Sequence, residues 1–450
     1  MSNVIKLRKG LDIRLQGKLS EQSVLTVRDS GDYALCPDDF VGVSPKVVVK
    51  EGDTVKAGDA LFVNKHFPEV RFPSPVSGTV NAVVRGERRK VLCVKVRADK
   101  EQLYSDFGRK DASQMDGNAV KASLLESGLF GFINQLPYAV SATPDATPKA
   151  IFVSALRDKP LALDFTIELK GNESDFQTGL TALSKMAKTY LGIGVKQQDV
   201  TALADAKDVE VNIFDGPCPA GNVGVQVNNV LPVNKGETVW TVDPSVVIII
   251  GRLFNTGHVD LRKPVALVGS KAKSTGIANV LVGSRIGDFV EGNLEEGRLR
   301  IIKGNVLTGK PCSLDDYVGA LISEITVIPE GDDADELLGW IMPRTNQFSV
   351  NRSYLSWLCG KKEYALDARI KGGKRHMIMS GEYDSVLPMD IYGEYLIKAI
   401  IANDIDKMEQ LGIYEVSPED FALAEFVDSS KLELQKIVRQ GLDMLRKENA

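Results

Sequence analysis

Val47-Val-Val-Lys-Glu-Gly-Asp-Thr-Val-Lys-Ala-Gly-Asp-Ala-Leu-Phe62 alternates apolar with polar residues and is interrupted twice by Gly-Asp, at Gly52-Asp53 and Gly58-Asp59. Alternation at period two marks half-buried strands, and Gly-Asp marks the tight turns that join them. A second half follows as Phe72-Pro-Ser-Pro-Val-Ser-Gly-Thr-Val80, a polar loop Arg85-Gly-Glu-Arg-Arg-Lys90 and a strand over 91–96. Short strands and tight turns are therefore expected throughout this stretch.

The two halves read G-D-x-V-x-x-G-x-x-L and S-P-x-x-G-x-V, and in this they resemble the biotinyl/lipoyl barrel-sandwich module. The resemblance implies a cofactor-bearing lysine at a hairpin tip, and the nearest lysine is Lys65 in Val63-Asn-Lys-His-Phe-Pro68. The carrier position, eight residues before Pro75, falls on Phe67, so Lys65 is two positions away. An unmodified structural module is the expectation, with a lipoyl or biotinyl carrier on Lys65 as the alternative.

Outward from this module, 450 residues allow roughly three domains at about 150 residues each. Hydrophobic residues at 43 % and charged residues at 26 % are ordinary globular usage, which excludes a disordered or disulfide-stapled chain. The net charge of −5 lacks the basic excess that phosphate-backbone binders use, so no nucleic acid is expected. No run reaches the 18 or so apolar residues of a membrane span, and 1–10 has no apolar core of a secretory signal. A cytoplasmic address with no transmembrane span follows. Cys36, Cys93, Cys218, Cys312 and Cys359 are far apart in sequence and form no CxxC, which disfavours a local zinc or iron-sulfur cluster.

The chain reads as an N-terminal segment (1–40), the barrel-sandwich (41–105), a Rossmann-like α/β unit (115–258), an α+β unit (260–335) and a mainly helical end (336–450). In the α/β unit, 151–154, 209–214 and 246–250 read as buried strands. Helices are expected at 120–126 and at 179–190, where Leu180, Leu183, Met186, Ala187 and Tyr190 share a face. Short strands at 265–268, 284–292 and 298–302, with glycine turns, make the α+β unit similar to the β-grasp domain of respiratory-complex subunits. After an acidic connector at 333–340, helices are expected at 391–402, up to 411, and at 430–447. Another starts at Ser417-Pro-Glu-Asp420, where Ser417 should accept free backbone donors and the carboxylates complement the helix dipole.

An α/β unit invites a dinucleotide, which needs glycines that let backbone approach a pyrophosphate. Neither G-x-G-x-x-G nor G-x-x-x-x-G-K-[ST] occurs. The plausible place holds Glu126-Ser-Gly-Leu-Phe-Gly-Phe-Ile-Asn-Gln-Leu-Pro-Tyr138, whose bulk suits an apolar aromatic ligand, a partner or the core better than a phosphate. Asp215-Gly-Pro-Cys-Pro-Ala-Gly-Asn-Val-Gly224 loses two donors to Pro217 and Pro219 and reads as a rigid loop, with Cys218 a candidate exposed thiol. His66, His258 and His376 are too scattered for a metal site or triad. The basic clusters at 85–90 and 371–376 read as solvated loops or as faces toward an anionic partner or lipid.

Three blocks carry a full-length resemblance: Leu7-Arg-Lys-Gly-Leu-Asp-Ile13, Gly216-Pro-Cys-Pro-Ala-Gly221, and Leu338-Gly-Trp-Ile341 with Val386-Leu-Pro-Met-Asp390. They resemble the family of A-type subunits of sodium-translocating NADH:quinone reductases, related to the C-type subunit of the Rnf complex and to the flavin-carrying subunit of complex I. That resemblance implies a peripheral subunit on the cytoplasmic face of the bacterial inner membrane. It would dock chiefly on the membrane-embedded B-type subunit of a complex that oxidises NADH, reduces quinone and exports sodium. It also implies NADH, FAD, FMN, Fe-S and quinone for the complex. Because the glycine loop and C-terminal cysteines of the flavin-carrying relatives are missing, no covalently bound cofactor, no catalytic residue and no metal site are expected in this subunit. Phe130, Phe132, Pro137 and Tyr138 are the expected quinone-proximal residues. An autonomous flavin-dependent NADH dehydrogenase is the remaining alternative.

Overall fold

The computed structural model describes residues 3–19, 23–332, 341–350, 352 and 354–449. Two strands among the described residues of 1–40 pair with different sheets. β1 (Asn3–Lys6) joins the edge of the α/β sheet, and β2 (Asp32–Leu35) opens the barrel-sandwich. There follow β3 (Pro45–Val47), β4 (Thr54–Val55), β5 (Ala60–Asn64), β6 (Arg71–Pro73), β7 (Gly78–Arg85) and β8 (Val91–Ala98). They form two facing sheets, β2-β8-β7-β4 and β3-β5-β6. The repeated Gly-Asp makes twin turns. Gly52 and Gly58 take φ of 90° and 98°, which glycine adopts without a Cβ clash. Asp53 and Asp59 accept the Lys50 and Lys56 N–H at 2.7 and 2.8 Å.

The α/β unit contains α1 (Gly117–Ser127), β9 (Asn134–Leu136), β10 (Val140–Ser141), β11 (Ile151–Ser154), α2 (Phe165–Leu169) and α3 (Glu173–Met186). It continues through β12 (Thr189–Gly194), α4 (Thr201–Ala204), β13 (Glu210–Asp215), α5 (Val223–Val230), β14 (Val239–Val242) and α6 (Pro244–Thr256). The sheet order is β1-β13-β12-β11-β14-β9-β10, parallel from β1 to β14 and antiparallel beyond. From β11 the chain builds outward through β12 to β13, then returns to place β14 on the other side of β11, so the switch point lies between β11 and β14.

Two expectations fail here. Residues 246–250 are not a strand but the middle of α6. Val239–Val242 takes the strand, Asp243 Oδ1 accepts the Ser245 N–H at 2.9 Å, and Pro244 opens the helix. Every residue from Val246 to Ile250 is buried, and an apolar run without a polar face hides its period. The helix expected over 179–190 begins earlier and ends at Met186; Tyr190 lies in β12, stacked on Phe152 at 4.8 Å.

The next unit is one mixed sheet, order β16-β15-β19-β17-β18. It is made from β15 (Arg262–Val268), β16 (Gly276–Leu281), β17 (Leu299–Lys303), β18 (Lys310–Cys312) and β19 (Glu324–Pro329), with β15 and β19 parallel at its centre. The strand expected across 284–292 is instead a one-turn helix, α7 (Gly287–Val290), whose Phe289 and Val290 seal the sheet face.

The connector 333–340 lies outside the described residues. The C-terminal helices are α8 (Glu382–Val386), α9 (Gly393–Ile401), α10 (Ile405–Gln410), α11 (Ala422–Val427) and α12 (Leu434–Glu448). Ser417 stands at the N-cap of a 3-10 turn over Pro418–Phe421 in a capping-box arrangement with Asp420, whose Oδ2 receives both the Ser417 N–H and its hydroxyl at 2.8 Å each.

Candidate functional site

The 126–138 stretch is shaped by what it packs against. Gly128 ends α1 at φ 79°, and a Cβ there would lie 2.8 Å from Pro73 Cδ; one on Gly131 would lie 2.5 Å from Phe72 Cε1. Close backbone approach to β6 explains both glycines. Phe130 and Phe132 are fully buried. Phe132 meets Phe40 at 5.2 Å within the Phe40-Phe62-Phe72 cluster of the barrel-sandwich, and Phe130 meets Trp240 edge-on at 5.4 Å. These rings join the barrel-sandwich to the α/β sheet. Pro137 is buried, while Tyr138 is partly exposed at φ 82° and its hydroxyl receives the Asn449 Nδ2–H at 3.3 Å. The four side chains thus share a stretch of chain but do not surround one hollow: Phe130 and Phe132 point into the core and Tyr138 faces the end of α12.

A cleft of about 370 Å³ opens at the switch point, where a sheet of this kind presents a ligand. The α/β loops contribute 154–159 and 242–244, the β-grasp sheet contributes Lys303, Lys310 and Glu324, and Glu419 and Asp39 close it. Most of its cations are already neutralised. Arg157 binds Glu168 at 3.1 Å and Asp243 at 3.4 Å, Lys159 is paired with Glu419, and Lys303 meets Asp39 at 3.4 Å. Its helix N-termini are occupied by the chain's own carboxylates. Asp243 caps α6, and Asp420 sits so close to the start of α5 that a Cβ on Gly224 would lie 2.4 Å from its Oδ2.

Burial opposes the charge of Asp243, but Arg157 and Lys263 beside it overcome that and hold its carboxyl below the usual range. Burial and the adjacent Glu419 push Asp420 up to about 6. Burial also raises Asp158, whose Oδ2 accepts the Gly221 N–H at 2.8 Å while its Oδ1 is buried with no hydrogen-bond partner among the described residues. A phosphate brought here would meet carboxylates at both helix ends, so the residues do not fit a dinucleotide. They build an ionic seam between the α/β, β-grasp and C-terminal parts.

Sequence distance misled in two places. The blocks 7–13, 216–221 and 386–390 converge. Leu11 N–H donates to Cys218 O at 2.7 Å, Gly10 N–H to Ser385 O at 3.0 Å, and Asn229 Nδ2–H to Pro388 O at 3.1 Å. Cys218 is therefore a buried thiol rather than the exposed one expected, and burial raises its pKa. Cys36 and Cys93, remote in sequence, lie where β2 and β8 continue opposite each other and pack in one small apolar cluster. Among the described residues no group of three or more His, Cys, Asp or Glu is arranged to hold a metal. Lys65 stands exposed in the turn between β5 and β6, its N–H bound to Ser44 O at 2.7 Å.

Comparison with known proteins agrees with this architecture. Residues 5–99 match the NqrA N-terminal barrel-sandwich hybrid domain, 115–259 the NqrA second alpha/beta domain, and 264–313 the NQRA C-terminal domain. The A-type subunit of the Na(+)-translocating NADH-quinone reductase of Neisseria meningitidis serogroup B is 33 % identical over 448 residues, covering 99 % of this chain and all of the relative. That of Haemophilus influenzae is 33 % identical over 449 residues, with the same coverage. Among solved structures, a chain of an NAD+-reducing [NiFe]-hydrogenase aligns over 67 % of this chain and 55 % of its own, at 12 % identity and a TM-score of 0.35. Among the described residues no helix is long and apolar enough to cross a membrane. With relatives matched from end to end, the chain belongs to the NqrA family, the A-type subunits of Na(+)-translocating NADH-quinone reductase.

Proposed function

We propose that this chain is a peripheral subunit, on the cytoplasmic face of the bacterial inner membrane, of a complex that oxidises NADH, reduces quinone and exports sodium. It docks on the membrane-embedded B-type subunit and carries no covalent cofactor; NADH, FAD, FMN and Fe-S chemistry belongs to the other subunits. The observation that carries this reading is the full-length match to A-type subunits of such a reductase. The self-neutralised switch-point cleft supports the view that hydride transfer happens elsewhere, since that step needs a bound cofactor. Quinone contact is proposed at the surface end of the 126–138 stretch, at Tyr138, with Pro137, Phe130 and Phe132 holding its backbone from within. The chain should co-purify with the complex from detergent-solubilised membranes. Its deletion should abolish quinone reduction while NADH-driven flavin reduction in the remaining assembly survives. A quinone-analogue photolabel on the complex should mark 126–140, and consistent labelling elsewhere would remove the quinone assignment.

The exposure of Lys65 in a hairpin turn favours a second reading, a lipoyl- or biotinyl-type carrier. Intact-mass measurement separates the two: the first reading expects the unmodified mass of the polypeptide, and a discrete addition at Lys65 supports the carrier.

A further inference from the structure

Between the described C-terminal helices and the β-grasp sheet runs a stretch, 341–379, whose one described helical element is a short 3-10 turn at Leu355–Cys359. It holds eight lysines and arginines against two carboxylates, Glu363 and Asp367, in a chain whose overall charge is −5. Both carboxylates already have cationic partners, Lys18 for the first and Arg369 for the second. The same stretch leaves large apolar side chains in solvent: Ile341 is 65 % exposed, Leu358 64 % and Trp357 47 %. The Leu355 N–H donates to Pro343 O at 3.2 Å, which places Ile341 and Met342 beside the turn that carries Trp357 and Leu358. Apolar side chains surrounded by bases, with one Trp at the tip, match an interface that is apolar below and anionic at its surface.

Under this tip lies a hollow of about 230 Å³, lined by Arg14, Lys362, Ser349, Ser356, Phe348 and Trp357 among others. The side-chain hydrogen bonds of the two cations go to backbone carbonyls: Arg14 to Gly360 O at 3.2 Å and Lys362 to Thr345 O at 3.0 Å. Asp12, also in the wall, is engaged by the Cys218 N–H at 3.0 Å. Ser356 is only 2 % exposed, and its buried hydroxyl has no hydrogen-bond partner among the described residues. A buried unpaired hydroxyl, in the wall of a hollow also lined by two cations that lack a carboxylate partner among the described residues, calls for an acceptor, and a phosphate oxygen supplies one.

We propose that the described residues of 341–379 seat this chain directly on an anionic phospholipid surface, with Trp357 and Leu358 entering the headgroup layer and a lipid phosphate held by Arg14 and Lys362 in the hollow that Ser356 lines. Lipid is favoured over an acidic protein because cations dominate the whole stretch and its two carboxylates are already paired, while the apolar side chains cluster at an exposed tip instead of lining a groove. The proposal is independent of the complex-subunit reading, because it is measured on the full chain alone.

The test is co-sedimentation of the full-length chain with vesicles of equal parts phosphatidylglycerol and phosphatidylcholine, and with phosphatidylcholine alone, at physiological ionic strength. Binding to the anionic vesicles at least about tenfold tighter than to the neutral ones is expected. The double variants K361E/K362E and W357A/L358A should each lose about tenfold while the circular dichroism stays that of the parent. Ser356→Ala, which leaves charge and apolar tip intact, should lower anionic binding by a smaller factor. Equal binding to both vesicle types, or retention by the charge-reversed variant, overturns the proposal. Calorimetric binding of inorganic phosphate without vesicle binding overturns it in favour of a free-phosphate site. In native membranes, a photocrosslinker at Leu358 that attaches to a protein instead of lipid overturns it in favour of a protein interface.

Discussion

Asp420 is 1 % exposed and accepts hydrogen bonds from Ser417 and Asn222, yet burial dominates and raises its pKa to about 6. A carboxyl whose folded pKa exceeds its unfolded value leaves stability intact below the unfolded value and removes it as the pH climbs toward the folded one. Between pH 4 and pH 7 this single group should therefore cost up to about 3 kcal/mol. Asp420→Asn, which cannot ionise, should gain on the parent by that amount across the interval and by little at pH 4, read from denaturant midpoints at each pH. Steric demands are equally local. A Cβ on Gly251 would lie 1.7 Å from Asp175 O, and one on Gly179 would lie 2.0 Å from Val247 O. These two glycines let α3 and α6 touch backbone to backbone. Gly251→Ala should cost about 3 kcal/mol, at the upper end for overpacking, in the same measurement. Neither glycine announces itself in sequence, since nothing nearby says what will lie against it.

At the scale of elements, α6 rests on Asp243, which caps its first turn and also faces Arg157 and Lys263. Asp243→Ala removes a cap worth about 1 kcal/mol and leaves buried cations short of a partner, a loss of about 3 kcal/mol in all by denaturant titration. The surface pair of half-buried Arg285 and exposed Asp315 offers the contrast: Asp315→Ala should change stability by about 0.5 kcal/mol or less, whatever the short N–O distance suggests. Elements with a wet face were legible in advance. The alternation in 47–62 and the face shared by Leu180 and Leu183 translate into β3 to β5 and α3. What stayed hidden were elements without a wet face, α6 above all, and the one-turn α7 inside a glycine-spaced run. For the candidate site the stretch 126–138 could be found from its chemistry, but the inward direction of Phe130 and Phe132 depends on Phe40, Phe62, Phe72 and Trp240, which lie far from it along the chain.

Across the whole molecule, the units inferred from the sequence do not own their cores. One apolar cluster runs from Leu35, Phe62 and Phe72 of the barrel-sandwich into Phe130, Phe132 and Trp240 of the α/β sheet. A second joins Leu7, Ile13 and Phe214 to Leu396, Phe421 and Leu442 of the C-terminal helices. Interfaces that are large, apolar and crossed by ion pairs such as Lys303–Asp39 couple the stability of the parts they join. Calorimetry of the intact chain should accordingly give a single main unfolding transition in place of one for each sheet. A fragment cut at the apparent module edges, 41–105, loses β2, Phe40 and the covering Phe132. Phe62 and Phe72, fully buried in the intact chain, would then face water. Each exposed ring forfeits about 2 kcal/mol of burial, a large share of what so small a module can accumulate. The fragment should bind a hydrophobic dye and unfold without a cooperative step, whereas the intact chain should unfold cooperatively and bind less dye per residue. A sharp, dye-free transition of the isolated fragment would show instead that the Phe40–Phe132 contact is a seam between self-sufficient units.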